Sequence, residues 1–237
     1  ERAAALAAEL HLDQPVIVRY FAWLGGLLTG NLGTSIANGF PVSELVGDRI
    51  VNSAVLVLAS AIVMIPVAFG LAMISANYRG KRTDDVIQVV MITLAGLPEF
   101  VVGILLVALF STTVFHVLPA VTIAGGGAPP WSNPASMILP VATLVIAVTP
   151  YVSRIVRSSL LEVLDSDYVE LARLKGVPER VVMRKHALLN AIVPGIQVIA
   201  LQLAWLAGGV VIVEYLFFYP GIGALLVDSV RNSDFPM

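Results

Sequence analysis

Four long apolar runs, each carrying proline, constrain this chain more than any other feature. They lie at about residues 51–76, 86–110, 135–153 and 191–213. About 20 helical residues cross the roughly 30 Å hydrocarbon layer of a bilayer, so each run is long enough to span one. Hydrocarbon offers no water to a backbone N–H or C=O, so such runs fold as helices. Pro66 falls in the first run, Pro98 in the second, Pro140 and Pro150 in the third, and Pro194 in the fourth. Each proline removes a ladder hydrogen bond and predicts a bend, with the freed carbonyls satisfied by neighbouring helices. The expected fold class is all-α, a polytopic transmembrane helical bundle with four full spans in this chain. Composition agrees: 13% of the residues are charged, against about 25% in a soluble domain.

Composition also excludes several chemistries. The net charge of −2 supplies no global field toward nucleic acid. There is no cysteine, so disulfides and thiolate metal sites are ruled out. His11, His116 and His186 are far apart in sequence, and no metal site is expected.

Lysine and arginine set the orientation. Ten of the 14 fall in the segments 77–85 and 154–190, and none falls in 111–134. The segment 154–190 is therefore expected in the cytoplasm, and the segments 1–50, 111–134 and 214–237 outside. An outside start without a signal-peptide pattern predicts one further span before Glu1. An outside end predicts another after Met237, for about six in the complete protein. The expected division is an extracytoplasmic segment 1–50, a transmembrane core 51–213 containing the cytoplasmic hairpin 154–190, and an extracytoplasmic segment 214–237.

Within the outer segments, residues 1–20 predict a short amphipathic helix stopped by Pro15. Residues 20–49 are punctuated by glycine, with Tyr20, Phe21 and Trp23 suited to a membrane boundary. Gly125-Gly126-Gly127 and Pro129-Pro130-Trp131 predict a linker. A helix from Ile222 to Val230 is too short to span, and would cap the bundle or dip into the outer leaflet.

The segment from Leu164 to Gly195 is too polar for hydrocarbon. It predicts two short helices joined at Gly176-Val177-Pro178. Asp167 is the expected N-cap, with Glu170 in position for a capping box. Gly176 suits a left-handed C-terminal position, and Pro178 the start of the next helix. Tyr168, Leu171, Ala172 and Lys175 then share a face that could enter a groove on a soluble partner. The plain alternative is a solvated loop, but the agreement among caps and turn favours a docking element.

This hairpin resembles the EAA loop of ABC-importer permeases, on Glu170-Leu171-Ala172, three residues, then Gly176. The sequence departs from that loop at Leu171 (Ala in the motif), His186 (Ile) and Leu189 (Pro). The form YVELARLKGVPERVVMRKHALLNAIVPG is similar to the dipeptide/oligopeptide branch. LDQPVIVRYFAWLGGLLTGNLGTSI, LPEFVVGILL and EYLFFYPGIGALLVDSV agree with it, so the resemblance covers nearly the whole chain. It implies a permease subunit in the bacterial inner membrane, paired with a second, similar permease. Two cytoplasmic ATPase domains would bind ATP and Mg, and an extracytoplasmic binding protein would deliver the substrate. No cofactor is expected on this chain, which lacks the phosphate-binding GxxxxGK[ST] pattern. The resemblance makes Glu170, Ala172 and Gly176 the ATPase-coupling residues, with Leu171, Leu174 and Val177 touching the ATPase. Dipeptides or oligopeptides are the expected cargo. Nickel, glutathione and haem are the alternatives within the same architecture.

Glu99 stands inside the second run, where a carboxylate costs about 2.5–3.5 kcal/mol on insertion scales. It either lines the pathway or satisfies the Pro98 kink or a partner's helix. Asn52 and Ser53 are expected at the interface, and Gln197 and Gln202 as interhelical hydrogen-bond partners. An ion-coupled secondary transporter would need a coupling-ion site, for which only Glu99 is available. An intramembrane enzyme would need a nucleophile–base pair or metal set at membrane depth, and no run contains one.

Overall fold

Four helices begin directly after a proline: Pro15, Pro41, Pro98 and Pro178. A proline there keeps its fixed φ and loses no helical hydrogen bond. The computed structural model describes residues 14–122 and 128–234. Residues 1–13 and Gly125-Gly126-Gly127 lie outside them, so the amphipathic helix and the triple-glycine linker are not described. Pro15 opens a helix, α1 (Val16–Leu28), where it had been expected to close one. Tyr20, Phe21 and Trp23 stand exposed on α1, as a boundary position requires.

The apolar runs are helical, but their limits differ from those expected. The first becomes α2 (Val42–Asn77), 36 residues that continue through Pro66. At 1.5 Å per residue this is roughly 54 Å, longer than the bilayer core, and the added N-terminal turns carry Glu44, Asp48 and Arg49. The second run is not one continuous helix. It forms α3 (Arg82–Ala95) and α4 (Glu99–Val107), the latter extended by a π-helical turn at Ala108–Thr112. The axes differ by 102° across Gly96-Leu97-Pro98. Pro98 pushes Leu97 out of the helical region, and Gly96 gives the chain little helical preference to resist.

The third run becomes α5 (Pro134–Leu164), which carries Pro140 and Pro150 internally. It extends eleven residues beyond the expected end at Ser153, so Arg154 and Arg157 ride on the helix and not in a loop. After the hairpin helix α6 (Asp167–Leu174), a turn at Glu179–Val181 and a π-helical stretch at Val182–Ala187 run directly into α7 (Leu188–Leu216). The second hairpin helix is thus the leading end of the fourth apolar helix. α8 (Ile222–Arg231) closes the described chain. Among the described residues, three helices are long and apolar enough to cross a membrane, and α3 with α4 makes a fourth if the broken pair is one span.

The core runs along α5. Val148, Val152, Val156 and Leu160 recur every four residues with at most 1% exposure. Met64, Ala68, Ala72 and Ala76 form a matching buried stripe on α2. Small residues there let the backbones approach closely. Gly195 on α7 has the same role: a Cβ would lie 2.9 Å from Phe69 of α2. Of the two glutamines expected to bridge helices, Gln197 is exposed.

Three polar clusters fasten this frame. At the end of the bundle away from the hairpin, Glu214 of α7 is fully buried. Its carboxylate accepts the Ser53 hydroxyl of α2 and the backbone N–H groups of Gly223 (2.7 Å) and Ala224 (3.2 Å) at the start of α8. Asn52 donates to the Pro220 carbonyl at 2.7 Å, and the Tyr219 hydroxyl donates to the Asn52 carbonyl at 2.8 Å. Asn52 and Ser53 are therefore buried fasteners, where interfacial residues had been expected. α8 caps the bundle. At the hairpin end, Arg157 of α5 donates to both oxygens of Asp84 (3.1 and 2.7 Å) and to the Ser75 hydroxyl (2.8 Å), joining α5 to α2 and α3. After α8, buried Asp234 accepts the Ser35 hydroxyl and the Ile36 N–H (2.9 Å). Burial pushes the Asp234 carboxyl up. The Ser35, Ile36 and Ala37 donors outweigh that and hold it below the ordinary 3.8.

Each cluster makes a prediction. A Cβ on Gly221 would overlap the Glu214 carboxylate. Gly221→Ala should therefore cost about 1–3 kcal/mol, read as a lowered melting temperature of the full-length protein in detergent. Asp84→Ala leaves Arg157 unanswered and should cost about 3 kcal/mol, while the apolar pair Asp84→Leu with Arg157→Met should recover part of that loss. The Asp234 bonds stabilise the fold above the unfolded carboxylate pKa, and that stability is lost as pH falls through the lower folded value. The melting difference between the wild type and Asp234→Asn should therefore begin to shrink below about pH 4 and vanish only once the pH is below the lowered folded value.

Candidate coupling surface

The short helix α6 stands between the two long helices α5 and α7. Ser166, in extended geometry (φ −82°, ψ 149°), is the residue before it, and Asp167 is its first helical residue. The capping box expected from Asp167 and Glu170 does not form. The Ser166 hydroxyl turns back to the Val163 carbonyl of α5, and Glu170 contributes its backbone N–H to the Ser166 carbonyl. Asp167 and Glu170 still place two carboxylates in the first turn, where the helix dipole favours them.

The end of α6 is the one predicted. Gly176 is left-handed at φ +77°. Its N–H reaches the Arg173 carbonyl at 2.9 Å, and the Val177 N–H reaches the Ala172 carbonyl at 3.1 Å. This pair of bonds is a Schellman motif, and it reverses the chain within two residues. Arg173 reinforces the reversal through two hydrogen bonds to Glu179 (2.7 and 3.1 Å) and one to the Leu164 carbonyl (3.2 Å).

The six residues expected to couple divide into two sets. Leu171 and Leu174 are 52% and 78% exposed, and Glu170 and Gly176 are also exposed. Ala172 is buried, and Val177 packs against the hydrophobic core. Ala172 thus does not share an outward face with Tyr168 and Leu171. It lies with fully buried Val169 on the side that seats α6 on the bundle. Tyr168 is half-exposed and pinned: Asn190 of α7 donates to its hydroxyl at 2.7 Å. The result is an apolar edge of Tyr168, Leu171 and Leu174, open to water and held by α5 and α7. Such an edge suits insertion into a groove on a soluble protein.

Glu99 lies elsewhere, at the first position of α4 beyond the Pro98 break. It is partly buried and has no hydrogen-bond partner among the described residues. Its carboxylate bonds none of the free N–H groups of the first turn, although it lies at the positive end of the α4 dipole. Sequence reasoning missed Glu214 and the Asp84–Arg157 pair. Among the described residues, no group of three or more His, Cys, Asp or Glu could hold a metal ion.

Comparison with known proteins places this geometry. The family described as "Binding-protein-dependent transport system inner membrane component" matches residues 64–237. The glutathione transport system permease protein GsiC of Salmonella choleraesuis is 38% identical over 236 residues, covering 99% of this chain and 74% of that protein. GsiC of Escherichia coli K12 is 33% identical over 97% of this chain and 72% of its own length. A probable peptide ABC transporter permease protein of Sinorhizobium fredii is 33% identical over 100% of this chain and 75% of its own. A helical bundle with membrane-length apolar helices and a family match across most of its length leaves one conclusion. The chain belongs to the binding-protein-dependent transport system inner membrane component family, as a non-catalytic, membrane-embedded permease subunit of an ABC importer.

Proposed function

We propose that this permease admits peptides and peptide-like solutes, glutathione among them, from the extracytoplasmic side. The observation that carries the cargo reading is the similarity, over 97% or more of the chain, to permeases named for glutathione and for peptide. A binding protein delivers the solute to the outer segments. A second, similar permease completes the pathway, and two ATPase domains supply ATP and Mg. No nucleotide group is bound by this chain. The ATPase receives the edge of Tyr168, Leu171 and Leu174, with Glu170 and Gly176 beside it. Ala172 and Val177 act by seating α6 on the bundle.

The mechanism follows from how α6 is held. Its inner side is anchored through Val169 and Ala172, and its two ends are continuous with α5 and with the turn leading to α7. Arg79, two residues beyond α2, pairs with Asp165 at 2.8 Å, but both side chains are exposed and the pair adds little to the mount. A displacement of α6 by a closing ATPase pair is therefore delivered to α5 and α7.

The test is uptake of labelled glutathione and dipeptide into liposomes holding the whole transporter, with the stimulated ATP hydrolysis followed in parallel. Leu174→Asp alters only an exposed side chain and should leave the melting temperature unchanged, while lowering stimulated hydrolysis about tenfold. Gly176→Asp adds the backbone cost of a left-handed non-glycine residue, about 1–2 kcal/mol, and should also weaken retention of the ATPase during purification. Wild-type behaviour in both variants would refute the coupling assignment. Uptake of neither solute would refute the cargo.

A further inference from the structure

Between α2, α7 and α8 an open cavity of about 510 Å³ faces the outer side. That is within the roughly 300–1,000 Å³ typical of small-molecule sites. Its charged lining is Arg49 of α2, Glu214 of α7, and Asp228 and Arg231 of α8; Tyr215 and Phe218 supply aromatic wall. Glu214 is already engaged. Its two oxygens spend three of about four acceptor sites on Ser53, Gly223 and Ala224, which commits it to the fold. The other three make no ion pair among the described residues. Arg231 donates only to the Tyr215 hydroxyl, at 2.9 Å. Arg49 and Asp228 make no side-chain hydrogen bond or ion pair among the described residues.

The available charges are therefore two guanidinium groups and one carboxylate, close to aromatic faces. Guanidinium presents a planar donor fork that matches carboxylate, and a carboxylate answers an ammonium. A solute with two carboxylates and one ammonium is the complement of this set. A neutral peptide has only one of each and leaves one arginine unanswered.

We propose that this cavity is a receiving site for small peptide-like solutes of that charge pattern, the class to which glutathione belongs. Arg49 and Arg231 take the two carboxylates, Asp228 takes the ammonium, and Tyr215 and Phe218 flank the backbone. The site gives the permease a preference for acidic over neutral peptides, independent of the binding protein. This rests on the peptide-like cargo proposed above.

The test is equilibrium binding of labelled glutathione and of trialanine to the full-length permease with its partner subunits in nanodiscs, without binding protein, run beside liposome uptake. Arg49→Gln and Arg231→Gln should each weaken glutathione about tenfold and change trialanine much less. Arg49→Lys, which keeps the charge and loses the fork, should recover only part of the glutathione binding, and Asp228→Asn should lose its effect when the glutathione amine is acetylated. Equal loss for both peptides, or no loss for either, overturns the site. So does glutathione binding that phosphatidylglycerol abolishes and phosphatidylcholine does not, because the arginines then serve lipid phosphate. Uptake without any binding in the nanodisc overturns the site and leaves the cargo standing. Saturable, arginine-dependent binding without uptake does the reverse, and absence of both overturns the two together.

Discussion

A buried carboxylate must have its lone pairs answered, and Glu214 is where this fold meets that demand. Removing a carboxylate from water without partners is prohibitive, and leaving any of its donors unpaired would cost about 1–3 kcal/mol each. Glu214 gathers a hydroxyl from α2 and two backbone N–H groups from the opening turn of α8. The same bonds satisfy helix-terminal donors that would otherwise be orphaned. The neighbours are chosen to suit. Gly221 and Gly223 carry no Cβ because one on either would collide with the Glu214 side chain or with Val211. Removing this group would release α8 and unseal the outer end of the α2–α7 contact.

The hairpin end is held differently. The Asp84–Arg157 pair is largely buried, with side chains 7% and 20% exposed. It joins residues 73 positions apart in sequence. The Arg79–Asp165 and Arg173–Glu179 pairs are more than 40% exposed on both partners, and each contributes at most about 1 kcal/mol. The rigid attachment of α6 comes instead from Val169, Ala172 and the Schellman turn. That division leaves a fixed inner side and a free outer edge on one eight-residue helix.

Much of this was legible in the sequence. Hydrophobic run length located the helices, and Gly176 announced the turn because its left-handed backbone has few other residues to choose from. The limits of the helices were less legible. α2 and α5 outlast their apolar stretches because charged residues such as Arg49 and Arg154 can ride on turns that project beyond the hydrocarbon. Proline was ambiguous for a related reason: Pro66, Pro140 and Pro150 sit within continuous helices, whereas Pro98 follows Gly96 and breaks one. Long-range pairings were not legible at all. Arg157 looked like a solvated loop charge, and Ser53 looked interfacial, until their partners were brought beside them. A usable signal did exist for Glu214: an acid closing an apolar run, followed by a Gly-x-Gly that opens a short helix.

The π-helical stretch at Val182–Ala187 has a geometric consequence for the path from α6 into the membrane. Val182 and Ala187 are both fully buried, yet they are five residues apart. At about 100° per residue, an unbroken α-helix would leave them roughly 140° out of phase. The wider turn absorbs one extra residue and brings them back onto a single stripe, which Ala191 then continues at ordinary spacing. The stretch is thus a phase corrector. It lets the sequence that faces the cytoplasm and the sequence that faces the core keep different registers within one continuous rod.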